Sequence, residues 1–151
     1  VARRESFAIE TNLYDVDTYK SFQGLQALGY SIFVYFLALD DVTLCIDRVR
    51  LRVLQGGHNV NSDIIRQRYT TGLALLKHYK DFPDVLMLLD TSKGGLNLEA
   101  ELRKGVIRYQ ANPCQAWAQS VIGAKQVQED ITNKSIEEVK SLYKKKQNPE
   151  P

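Results

Sequence analysis

"YSIFVYFLAL" (Tyr30–Leu39) decides the fold class. Its ten residues are apolar almost without interruption and rich in β-branched and aromatic side chains. Continuous rather than alternating hydrophobicity predicts a strand buried on both faces, as in a parallel sheet. Two further runs read the same way, "SFAIETN" (Ser6–Asn12) and "DVLMLLDTS" (Asp84–Ser92). Between the first two runs, Tyr19, Phe22, Leu25 and Leu28 recur at helical spacing and Gly29 supplies a stop. After Leu39, the residues Val42, Cys45, Ile46, Val49 and Val53 form one stripe of a second helix, ended by Gly56–Gly57. A third helix starts near Asn61 or Ser62, with Ile65, Tyr69, Leu73 and Leu76 inward. Strands alternating with helices predict an α/β layered domain.

Further along, "KGGLNLEAELRKG" reads as a turn and mixed polar segments, followed by a short strand around Val106–Gln110. A short helix is expected from about Pro113, anchored by Trp117. Residues 1–125 form the expected domain, and the Lys/Glu-rich residues 126–151 are expected to be a polar helix or tail. The chain has 151 residues, 44% hydrophobic and 25% charged, which suits one domain with a proper core. A net charge of +2 demands no nucleic-acid or anionic-membrane partner. Apolar runs stay well short of the ~20 residues of a membrane span. Two cysteines without metal-site spacing, Cys45 and Cys114, suit a reducing cytoplasmic setting.

The chemistry concentrates where the second helix breaks. Five arginines, Arg48 to Arg68, flank "QGGHNVN". Arg48 and Arg52 share a helical face, whereas Arg66 and Arg68 lie about 200° apart, so only one of that second pair should face the same cleft. A hinged hairpin with a cationic inner side suits a polyanion, above all a transferring phosphoryl group. Arginine binds phosphate bidentately and never titrates. By periodicity alone, the same arginines read as a solvated face, Gly-Gly as a simple C-cap and His58 as a loop histidine.

"RVRLRVLQGGHNVNSDIIRQRY" resembles the lid segment of the zeta-toxin-like family of P-loop kinases, through Arg48-Val49, Arg52-Val53, Gly56-Gly57-His58, Val60, Ile65 and Arg68. "SFAIETNL", "GYSIFVYFLAL", "LLDTS" and "GVIRYQANPCQAW" resemble successive elements of the same family, so the likeness covers about residues 5–120. Asn61 replaces the usual Pro, Asn12 the second Thr and Thr91 the usual Asn. The resemblance implies an ATP- or GTP-dependent kinase that phosphorylates a hydroxyl, with UDP-N-acetylglucosamine the implied substrate type. It assigns Glu10 and Thr11 to the acceptor and Arg52, Arg68 and Glu10 to catalysis. Arg48, Arg52, His58, Arg68, Asp90, Thr91 and Ser92 are assigned to the nucleotide. A Mg²⁺ ion is implied in the complete enzyme, and an antitoxin-like partner is compatible with the family.

The Gly-x-x-x-x-Gly-Lys-[Ser/Thr] phosphate loop is nowhere in this sequence. The chain resembles the C-terminal portion of such a kinase, so by itself it is expected to be inactive and to bind neither Mg²⁺ nor nucleotide tightly. A non-catalytic nucleotide- or partner-binding module is the alternative. The implied P-loop kinase-like parallel sheet lacks the strand between Ser6–Asn12 and Tyr30–Leu39. Both runs are therefore expected to show unpaired edges, filled by an upstream segment or a second copy, unless the strand order changes.

Overall fold

A computed structural model describes residues 5–123. Four helices and a four-stranded open sheet follow one another as α1 (Val16–Ala27), β1 (Phe33–Ala38), α2 (Val42–Leu54), α3 (Ser62–Tyr79), β2 (Val85–Asp90), β3 (Asn97–Arg103), β4 (Val106–Gln110) and α4 (Ala116–Ile122). The sheet order is β1-β2-β3-β4. Only β1 and β2 are parallel, and β3 and β4 continue the sheet antiparallel. The fold is thus α/β with a mixed sheet, which corrects the expectation of an all-parallel one. Residues 126–151, expected as a polar helix or tail, lie outside the described residues.

Helices α1, α2 and α3 each start where a side chain can accept a backbone N–H. Asp15 caps α1 through Thr18 N (2.8 Å), Asp41 caps α2 through Thr43 N (2.8 Å), and Asn61 caps α3 through Asp63 N (2.8 Å). Asn61 therefore starts the third helix in the absence of the proline that the resemblance would place there. Helix α2 ends in a Schellman closure. Gly56 takes φ 88° and donates to Val53 O at 3.0 Å, while Gly57 donates to Arg52 O at 2.8 Å.

The core lies on one face of the sheet. Val34, Ala38, Leu86, Leu88, Ala100 and Leu102 pack with Tyr19, Leu76, Trp117, Ala118 and Val121 from three helices. Burial of these side chains is worth ~1.5–3 kcal/mol each for the larger ones. Tyr19 stacks on Tyr79 with centroids 4.4 Å apart, fixing α1 on α3. At the N-terminal ends of β1 and β2, Asp84 gathers three elements. Its carboxylate accepts from Ile32 N (2.7 Å), Gln26 Nε2 (3.4 Å) and Lys104 Nζ (2.8 Å).

Two elements differ from the sequence reading. Asn97–Arg103 is a strand, with Leu98, Ala100 and Leu102 alternating with Glu99, Glu101 and Arg103. Its carboxylates are buried because each has a partner: Glu99 Oε2 accepts from Gln115 N (2.8 Å) and Glu101 Oε1 from Arg103 Nε (2.8 Å). Ser6–Asn12 is not a strand. The segment is exposed, pairs with no strand among the described residues, and reaches the core only at Leu13. A strand needs a ladder for its backbone groups, and none of these residues makes a backbone–backbone hydrogen bond among the described residues. Helix α1 follows directly after this run.

Candidate functional site

The C-terminal end of β1 is where the helices meet the sheet with polar groups. Thr91 N and Thr91 Oγ1 donate to Ala38 O at 2.9 and 3.1 Å, closing the end of β2 onto β1. Arg48, from α2, donates to Thr91 O (2.7 Å) and Thr91 Oγ1 (3.3 Å). Tyr69, from α3, donates to Leu39 O at 3.0 Å. Desolvation pushes the Tyr69 phenol up to about 12, so it remains a donor throughout the neutral range. These bonds hold both helices over one strand end, the place where open α/β sheets bind ligands.

A groove of about 1070 Å³ runs from there along the outer edge of β1. Residues 7–13 form its far wall, and α2 and α3 supply Arg48, Arg52, Ile65, Arg68 and Tyr69. Six of the residues singled out by sequence converge on it: Glu10, Thr11, Arg48, Arg52, Arg68 and Thr91. Arg66 does not line it and lies close enough to Asp41 to help lower that carboxyl, after the Thr43 hydrogen bonds. Only one of the Arg66–Arg68 pair thus faces the cleft, as the helical spacing requires.

The other three assignments do not reach the groove. His58 sits exposed in the loop after the Schellman turn and is not among the lining residues. Asp90 is buried and accepts from Ser92 Oγ (2.7 Å) and Ser92 N (3.3 Å), while Ser92 Oγ accepts from Asp40 N (2.6 Å). Asp90 and Ser92 thereby build the turn after β2, and their polar atoms are spent on it. Cys45 at the groove and Tyr14 beside Arg68 are not among the residues assigned from the sequence. Arg68 Cζ stands 4.9 Å from the centre of the Tyr14 ring, a cation–π contact that orients the guanidinium. Cys45 lines the groove, and burial raises its thiol pKa, which disfavours the thiolate.

Electrostatically the groove is cationic. Three arginines face one carboxylate, Glu10, and none of the three forms an ion pair among the described residues. Arg48 spends donors on Thr91, whereas Arg52 and Arg68 keep their forks available for an anion. Gly57 fixes the origin of Arg52, since a Cβ there would lie 2.6 Å from Arg52 Cγ and 2.8 Å from Arg52 O. The donor set suits phosphate or carboxylate. Magnesium is a different matter: it wants about six oxygens, and the lining offers one carboxylate and a few hydroxyls, with no acidic or His/Cys cluster of three among the described residues. No family model, curated protein or solved structure matches this chain.

Proposed function

We propose that this chain supplies the arginine lid and the acceptor side of a small-molecule kinase site of the zeta-toxin-like kind. The observation that supports it is the meeting of Arg52, Arg68, Glu10 and Thr11 in one groove at the C-terminal end of a parallel strand. Glu10 and Arg52 are 42 positions apart in the chain, and only folding unites them.

In this reading Arg52 and Arg68 bind the phosphoryl oxygens of ATP or GTP, where preorganised cations act on the charge that develops during transfer. Glu10 and Thr11 accept and orient the substrate hydroxyl, and a nucleotide sugar such as UDP-N-acetylglucosamine is the acceptor type that the resemblance suggests. Arg48 and Thr91 hold the lid to the sheet. The Mg²⁺ that such transfer uses has no matching ligand set in the groove among the described residues. A second reading, a nucleotide-binding module without chemistry, rests on the same arginines, none of which forms an ion pair among the described residues.

Both readings require an oligophosphate at the arginines. Tripolyphosphate titrated into the chain at low salt should shift the arginine Nε–H NMR signals saturably, with a Kd of roughly 1 mM or below. The double variant Arg52→Gln, Arg68→Gln should weaken that binding at least about tenfold, the loss of some 1.4 kcal/mol. Unaltered binding in the double variant, or none in the parent, overturns the phosphate assignment. Transfer to a hydroxyl by an assembly containing this chain, abolished by Glu10→Gln, would favour the kinase over the module.

A further inference from the structure

Among the described residues the backbone of β1 is paired on one side alone. Ile32 O accepts from Val85 N (3.3 Å) and Ala38 O from Thr91 N (2.9 Å), both on the β2 side. Backbone groups of a strand point alternately to its two edges, so the even-numbered residues serve β2. Phe33, Tyr35 and Leu37 then aim their N–H and C=O groups at the other edge, into the groove. Among the described residues no strand pairs there. The side chains of these three residues are also 56%, 53% and 56% exposed. Across the groove, Phe7 and Ile9 are 53% and 57% exposed. An unpaired edge beside apolar side chains is a template for one more strand.

We propose that the groove takes an extended segment of another polypeptide, paired with Phe33–Leu37, apolar at alternate positions and acidic at the end beside Arg48, Arg52 and Arg68. The lining suits a single strand. Residues 7–13 line the groove together with β1, and α2 and α3 contribute Arg48, Arg52, Ile65, Arg68 and Tyr69, so the β1 edge lies within a groove rather than on an open sheet edge. A strand with free ends threads along it. The charge selects the acidic end, because three arginines there face the single carboxylate of Glu10. Recognition of this kind draws affinity from main-chain hydrogen bonds and specificity from alternate side chains. It differs from the phosphate reading in what it engages, namely the amides of β1.

Capped six-residue peptides of alternating valine and threonine, with a glutamate at one end and made in both orders, probe the groove of the full 151-residue chain. At least one order should bind with a Kd of about 1 mM or tighter and slow amide exchange at Phe33, Tyr35 and Leu37. N-methylation of the peptide amides that face β1 should weaken binding at least about tenfold, and so should glutamate replacement by glutamine. Tyr35→Pro removes a donor that faces only the groove, and should abolish binding while the β1–β2 ladder survives. Failure of both orders to protect those amides, or equal binding by the N-methylated peptide, overturns the proposal. Protection that rises with protein concentration in the absence of peptide also overturns it, in favour of a second copy.

Discussion

Replacing Gly57 by alanine tests the connection between the helix ending and the arginine groove. The added Cβ would lie 2.8 Å from Arg52 O and 2.6 Å from Arg52 Cγ. The side-chain clash can be relieved by moving Arg52 off its rotamer, at about 0.5–1.5 kcal/mol. The carbonyl is less forgiving, because the same oxygen accepts the Gly57 N–H at 2.8 Å. Moving it apart weakens one hydrogen bond of the Schellman pair, a further ~0.5–1.5 kcal/mol. The expected loss is about 1–3 kcal/mol in urea denaturation, accompanied by weaker tripolyphosphate binding because Arg52 is displaced. Gly56→Ala is the control. Its Cβ meets nothing within 4 Å, but φ 88° strains any L residue by ~1–2 kcal/mol. The two variants should lose similar stability, while Gly57→Ala loses more anion affinity. A Gly57→Ala protein with parental stability and parental binding would refute the packing argument.

Two further outcomes follow from other parts of the fold. Lys104 first, then the Ile32 N–H and Gln26, hold the Asp84 carboxyl below the ordinary aspartate range. A depressed folded pKa contributes stability above the unfolded value, about 3.9, which is lost as pH falls through the folded value. Urea titrations should therefore show Asp84→Asn destabilised by about 1–2 kcal/mol at pH 7 and converging on the parent in acid. A difference that is constant with pH would remove the charge from the explanation. Trp117 is buried against Phe36, and its Nε1 has no partner among the described residues. Trp117→Ala should cost about 3–5 kcal/mol by circular-dichroism melts, and Trp117→Phe clearly less, because only volume is lost. Equal costs would mean that the indole N–H is engaged.

The helices were legible because their signals are local. Asp15, Asp41 and Asn61 cap within three residues, Gly56–Gly57 closes α2 onto its own last turn, and the stripes at helical spacing are read within one segment. Runs at Tyr30–Leu39 and Asp84–Ser92 likewise announce β1 and β2, whose length and apolar content suffice. Ser6–Asn12, read as a third strand, is not one, because pairing is a property of neighbours rather than of the run itself. Strand β3 failed for the opposite reason. "NLEAELR" alternates with period two, a signal present in the sequence, but its glutamates disguise a buried face whose carboxylates are satisfied by Arg103 and the start of α4. The site divides the same way. Arg48, Arg52 and Arg68 could be aligned by helical geometry, whereas the Tyr14–Arg68 contact joins two segments that no local period relates.

The two ends of the β1–β2 pair carry different burdens. At the N-terminal end charge is consumed by structure: Ile32 N, Gln26 and Lys104 all converge on Asp84. At the C-terminal end Arg48, Thr91 and Tyr69 bind backbone oxygens or one another, and so fix α2 and α3 without exhausting the local charge. Arg52 lies one turn beyond Arg48 and Arg68 directly precedes Tyr69, and among the groove residues the one acid facing them is Glu10. Cations left uncompensated beside an apolar strand edge disfavour collapse of the groove, since closing it would desolvate them without a counter-charge. The same arginines that would hold an anion therefore also help keep the β1 edge open to one.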